Sequence, residues 1–254
     1  MKKLINVLLL TSFLFGAAAV KAQKSDTVKT KGWFKHDIAG AAQIQVTYRK
    51  GNNGQLNSIL NNSGIPSIAN NDLWINASMS HICHNLIMED GIGFTPIASS
   101  EVNNLKASYN QYQAYLRAGY NLSSNTDFRL YPFVGVNFSA AVLTIQDKNR
   151  EQNVTSFSSE LLNSTSSKTF YQPNFGIELG AGFDYVIKLK PKKMDCFEVA
   201  RNIPIGVRAG YYFNTYQSDW RINSYSLQNG PKEKQSAVFL SFNIGLGYGI
   251  KKKG

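Results

Sequence analysis

Apolar and polar positions alternate one for one along much of this chain. Between residues 236 and 250, Val238, Leu240, Phe242, Ile244, Leu246, Tyr248 and Ile250 fall on one side. Phe239, Ser241, Asn243, Gly245, Gly247 and Gly249 fall on the other. A period of two is the signature of a strand, and this one is more than twice the usual five or six residues. The same alternation runs through 203–213, 175–187, 129–142 and 112–120. Three further segments carry it over shorter spans, at 38–48, 73–79 and 86–88. Asp90 falls on the apolar side of the last one, which predicts a bulge there or a position near a rim.

One face of each segment is large and apolar, while the other is rich in Gly and small polar residues. The second face is too small and polar to belong to an ordinary protein core. After residue 22 no window approaches the ~20 apolar residues of a membrane-spanning helix. Strands can meet lipid only when closed into a barrel, because an open edge leaves backbone groups unpaired. The pattern therefore predicts an all-β fold, an eight-stranded antiparallel up-and-down transmembrane β-barrel, the smallest even number such barrels use. A soluble lipocalin-like barrel would place the apolar face inside, but it would then leave runs of Gly outside. The long outer connections are expected at 49–71, 147–167 and 218–234, with a shorter one at 98–106. The inner turns are expected near 82–85, 122–126 and 189–202.

The first residues have a different pattern. Lys2 and Lys3 precede an apolar run from Leu4 to Phe15, and Val20 and Ala22 sit three and one positions before a cut at Gln23. That layout is a secretory signal peptide over 1–22, cleaved near Ala22. Residues 23–36 follow as a short periplasmic segment, and 37–254 make the barrel. Charged residues are only 17% of the chain, below the roughly 25% of soluble domains. The net charge of +11 falls to +8 when Lys2, Lys3 and Lys21 leave with the signal peptide. Much of the rest is expected at the periplasmic end, at Lys188, Lys190, Lys192, Lys193, Lys251, Lys252 and Lys253. Phospholipid headgroups are the counterions such a position offers; an outer-membrane chain meets no nucleic acid there.

Candidate chemistry is sparse. Glu89, Arg117, Arg129, Glu178, Asp184, Lys188 and Arg208 all point inward in this reading. Counted from the inner turns, Glu89, Arg117 and Arg129 reach a similar depth, and Asp184 lies level with Arg208. Unpaired charges in a narrow lumen are unfavourable, so an interior ionic layer of Glu89, Arg117, Arg129, Glu178, Asp184 and Arg208 is expected. Cys83 and Cys196 fall in inner turns at one end, which makes them candidates for one disulfide in an oxidising compartment. His36, His81 and His84 also lie at or near that end, away from the outer leaflet where a lipid-A-modifying enzyme would need a histidine. His81, Cys83 and His84 supply at most three metal ligands with no fourth. Gly-rich phosphate or dinucleotide motifs are absent, so no catalytic residue, metal or cofactor is expected.

The leader, "LNSILNNSGIPSI", "RLYPFVGVNF", "NFGIELGAGFDY", "IPIGVRAGYYF" and the closing "LSFNIGLGYGI" resemble the small outer-membrane β-barrel proteins common in Bacteroidota. These are related in architecture to OmpX-like and OmpA-like barrels. The resemblance covers about residues 37 to 250 and implies a place in the outer membrane, contact with its lipid and lipopolysaccharide, and insertion by the barrel-assembly machinery. Such chains usually end on an aromatic residue, whereas this one continues past Tyr248 and Ile250 into "KKKG". Three roles are compatible with this reading: a structural or surface-interaction barrel closed inside by side chains, with a surface ligand that the sequence does not name; a narrow channel or transport-associated barrel; and a lipid-modifying enzyme.

Overall fold

The alternating segments become strands, joined into a closed ring. A computed structural model describes residues 38–148, 167–193, 197–232 and 235–252. Its elements are β1 (Ile38–Arg49), α1 (Gly54–Asn62), β2 (Leu73–Cys83), β3 (Leu86–Phe94), β4 (Ala98–Val102), β5 (Leu105–Tyr120) and β6 (Phe128–Asp147). Then come β7 (Ser167–Lys193), β8 (Phe197–Gln217), β9 (Arg221–Ile222), β10 (Tyr225–Ser226) and β11 (Ala237–Lys252). Eight of these strands pair antiparallel in the circular order β1, β2, β3, β5, β6, β7, β8, β11 and back to β1. No helix among the described residues is long and apolar enough to cross a membrane.

The register fixes the shape. Stepping across paired residues from Ala39 leads to Ile82, Ile87, Gly119, Phe133, Gly180, Gly210 and Phe239, and returns to β1 at Arg49. The ring thus closes with a stagger of ten residues along β1. With ordinary strand spacings, that stagger tilts the strands by roughly 40° and gives a backbone radius of roughly 8 Å. A tube so narrow has room inside only for its own side chains.

Alternation sorts the residues as the pattern requires. Ile44, Val46, Ile92, Leu116, Phe138, Phe242 and Ile244 face outward and are exposed. Gln43, Gln45, Asn76, Asn137, Ser241 and Asn243 face inward and are buried. Outward aromatics ring the lower part at Tyr120, Tyr185 and Tyr248, and the upper part at Tyr48, Phe94, Tyr112, Phe138 and Phe213. A band of apolar side chains between two aromatic girdles is the outer surface of a membrane barrel. The inward face is not uniformly small, because Tyr131, Phe133, Tyr212 and Phe239 form an apolar cluster within it. The glycines let large residues fit: a Cβ on Gly91 or Gly182 would run into the rings of Tyr115 and Tyr131.

The structure corrects or refines five expectations. There is no bulge at Asp90: β3 pairs without interruption from Leu86 to Phe94, and Ile92 and Phe94 resume the outward face. Gly91 and Gly93 hold the inward positions there, and residues without side chains gave the alternation nothing to mark. Residues 98–106 join β3 to β5 at the expected end, but they fold as the β4–β5 hairpin, turning at Asn103 and Asn104, both with positive φ. That two-residue turn is the type favoured by strand twist. Residues 189–202 are largely strand, since β7 runs to Lys193 and β8 starts at Phe197. The connection at 49–71 holds α1, whose Leu56 and Leu60 are buried one turn apart. The helix stops where Gly64 takes φ +71° and Ile65 N–H donates back to the Leu60 carbonyl at 2.9 Å. The connection expected at 218–234 carries the β9–β10 hairpin, turning at Asn223 with positive φ. That expected at 147–167 falls almost wholly outside the described residues, as do the signal peptide and residues 23–36.

Candidate functional site

The lumen is crossed at mid-height by four charged side chains from four strands. Glu89 on β3 and Arg117 on β5 are register partners. Arg117 Nη1 donates to Glu89 Oε1 at 3.1 Å, and its Nε donates to Glu178 Oε2 on β7 at 2.7 Å. Arg208 on β8 reaches across the tube, placing Nη2 3.0 Å from Glu89 Oε2. Each of these side chains is at most 5% exposed. Two acids and two arginines cancel, so the layer buries no net charge; a buried charge without a partner would be strongly unfavourable.

Neutral polar groups complete the layer, and these were the residues that sequence reasoning did not place in it. Gln45 Nε2 donates to Glu89 Oε1 at 2.6 Å and to Ser78 Oγ at 2.7 Å, while its Oε1 accepts from Arg117. Arg208 donates to Gln43 Oε1 at 2.9 Å and to the Tyr131 hydroxyl at 3.0 Å. Tyr131 in turn donates to Asp184 Oδ2 at 3.0 Å, and Asn243 donates to Asp184 Oδ1. Above, Asn137 links Glu178 to Gln113, and Gln113 links to Asn76 and then Thr47 and Ser241. Their signal was available, since every one occupies the inward phase of its strand.

Over this network Arg49 is stacked between Trp74 and Tyr212, its guanidinium carbon 4.2 and 4.3 Å from the ring centroids. The outer mouth is then closed by α1. Asn57 clamps the Ile68 backbone twice, donating to its carbonyl and accepting from its N–H, both at 2.9 Å. Leu56, Leu60 and Ile68 pack with Tyr109, Leu143 and Trp220. Trp220 Nε1 is anchored on the Pro231 carbonyl at 3.0 Å. Beside this cap an apolar groove runs between Ile59, Ile65, Ile145, Phe170 and Leu227, with Lys168 at its edge. At the surface, Lys232 pairs with Asp219 at 2.8 Å, which holds the Asp219 carboxyl below its ordinary range and the Lys232 amine above its own.

The remaining candidates lie elsewhere. Arg129 does not join the central layer. It is half-buried near the inner end opposite Asp184, six residues along β6 from Gly135, the register partner of Arg117. Nor is Arg208 level with Asp184, which faces Gly206 instead. Counting from the turns failed because the stagger lifts each strand relative to the one before. Lys188 sits exposed at the inner rim, paired with Asp127 at 2.6 Å. Cys83 is a free, exposed thiol, its sulfur 3.5 Å from His84 Nδ1. Its candidate partner Cys196 lies outside the described residues, as does His36. His81 is exposed on β2 beside Asp90, and His84 occupies the β2–β3 turn with φ 57°. Among the described residues no group of three or more His, Cys, Asp or Glu could hold a metal ion.

No protein-family model matches the chain, and no curated protein does. Solved structures do share its course. Neisserial surface protein A is 12% identical, over 84% of this chain and 98% of its own, with a TM-score of 0.37. Ail, the attachment invasion locus protein of Yersinia pestis, is 10% identical over 85% and 99%, with a TM-score of 0.36. A major outer membrane protein from Thermus thermophilus is 10% identical over 83% and 98%, at 0.38. What the geometry itself establishes is a closed eight-stranded barrel with an apolar belt, a charge-balanced lumen and a capped outer mouth.

Proposed function

We propose that this chain is an outer-membrane barrel of structural or surface-interaction type that conducts no solute and works through its outer face. It is exported with its signal peptide cleaved near Ala22, inserted by the barrel-assembly machinery, and surrounded by phospholipid and lipopolysaccharide. The observation that carries the reading is the Glu89–Arg117–Glu178–Arg208 layer, which fills a tube of roughly 8 Å backbone radius with paired, hydrogen-bonded side chains. Opening it would leave buried charges without partners. The cap supports the second half of the reading, since α1, Trp220 and the apolar groove present a shaped outer surface with Lys168 beside it. A lipid-modifying enzyme finds no support here, because His81 and His84 stand at the inner end. Recording from planar bilayers that hold the full-length protein is the test. A silent bilayer, in which the protein remains a heat-shifting folded band on gels, fits a closed barrel. Reproducible conductance steps from the wild-type chain would overturn it in favour of a narrow channel.

A further inference from the structure

Between the two aromatic girdles, Asp90 is the one charged side chain that faces outward among the described residues. It is the middle residue of β3, four from Leu86 and four from Phe94, which puts it roughly 10 Å in height from either end of that strand. Its polar partner in the barrel is His81 on β2, with Nε2 3.4 Å from Oδ1, and both side chains are more than half exposed. A carboxylate in that position faces hydrocarbon, where ionisable groups are rare and mark a functional surface.

The surroundings of Asp90 differ from the rest of the belt. Its lateral partners are Met79 and Leu116, and the register makes Ala77, Ala114, Ala118 and His81 its diagonal neighbours. Continuing round the same row, the barrel presents Val136, Ile177 and Phe213. Ala77, Ala114 and Ala118 therefore leave hollows between Met79 and Leu116 beside the His81–Asp90 contact, into which another protein surface can pack.

We propose that this face is the interface of a homodimer, two barrels packed about a two-fold axis along the membrane normal, with His81 of each copy against Asp90 of the other. The inference rests on the reading of the chain as a membrane barrel. A two-fold axis along the normal brings equal heights together, and the His81 ring already reaches the height of the Asp90 carboxylate in its own barrel. Each copy thus offers one donor and one acceptor, and the patch is self-complementary. An acyl chain has nothing to donate to a carboxylate, and lipid headgroups lie a strand's half-length away. A second copy carries a ring N–H donor at the required depth.

Sedimentation equilibrium of the full-length protein in density-matched detergent, over a range of protein-to-detergent ratios, is the test. The wild-type chain is expected to sediment as a dimer that dissociates on dilution into detergent. Asp90→Leu, with or without His81→Leu, should weaken association roughly tenfold, while the heat-modifiable gel shift is kept. Ala77→Trp, which retains both Asp90 and His81 but fills the hollow, should weaken it as well. Exposed Cys83 lies two residues from His81 on the same face of β2. In Cys196→Ser protein, a thiol cross-linker added to membranes should join two chains through Cys83, and Asp90→Leu should suppress that product. A folded, heat-modifiable wild-type protein that stays monomeric at every ratio overturns the dimer. So does a dimer indifferent to Asp90 and His81. A protein without any heat-modifiable band would instead sink the membrane reading itself.

Discussion

Buried and exposed charges of this chain obey different arithmetic. Glu89 holds two arginines that have almost no access to water. Replacing it with Ala should destabilise the barrel by about 3–5 kcal/mol, the usual effect of breaking a buried pair, as measured by urea unfolding in lipid vesicles. Arg129→Ala, at a half-buried site near the inner end, should change stability by about 1 kcal/mol or less in the same assay. Equal losses for the two would mean that the central layer has no special standing. Asp219 and Lys232 form the exposed counterpart. Because the folded carboxyl titrates below its unfolded value, the pair's contribution is complete above the ordinary aspartate range and is lost as pH falls through the depressed value. The Asp219 carboxyl carbon followed by NMR should therefore titrate below pH 3.9, the ordinary aspartate midpoint, and Lys232→Ala should return it there.

The strands were legible in the sequence because lipid outside and a polar lumen inside impose a strict period of two, and every segment with that period proved to be a barrel strand. Less legible was whatever depends on how strands meet. The extent of β7 and β8 beyond the belt, the β4–β5 hairpin and the depth of Arg129 all follow from register, which a single strand's pattern does not encode. The helix α1 had a readable signal in Leu56, Ile59 and Leu60 followed by Gly64, yet it was short and set in an Asn- and Ser-rich connection. For the candidate site, the charges and the inward phase of Gln45, Asn137 and Tyr131 were legible, but which neutral group satisfies which charge was not, since that depends on neighbours across the tube. Gly182 illustrates the same dependence. A Cβ there meets the Tyr131 ring, so Gly182→Val should displace Tyr131 from Asp184 and Arg208. We expect a loss of about 1–3 kcal/mol from overcrowding, seen as a lower urea midpoint, whereas Gly249→Val, where a Cβ meets nothing closer than 3.9 Å, should be nearly neutral.

At the scale of the whole molecule, the two ends of the barrel are chemically unlike. The outer end carries the α1 cap, the β9–β10 hairpin and the Asp219–Lys232 pair, while the inner end carries Lys188, Lys190, Lys192 and Arg201. In the proposed orientation, trypsin added to intact cells should cut at outer sites such as Arg221 or Lys232 and spare the inner cluster until the envelope is breached. Mass spectrometry of the released peptides decides this, and early cleavage at Lys192 or Arg201 would invert the barrel. The seam of the ring has a consequence of another kind. β1 pairs with β11 over twelve residues, from Ile38 opposite Ile250 to Arg49 opposite Phe239, so the first strand finds its second neighbour only when the last strand has been delivered. Until then β1 and the growing edge are both open templates for aggregation, and closing a loop of nearly the whole chain puts this contact among the slowest to form. The time between export and closure is thus the period of greatest danger for the polypeptide, and a chain cut short before β11 should be found with chaperones and proteases rather than in the membrane.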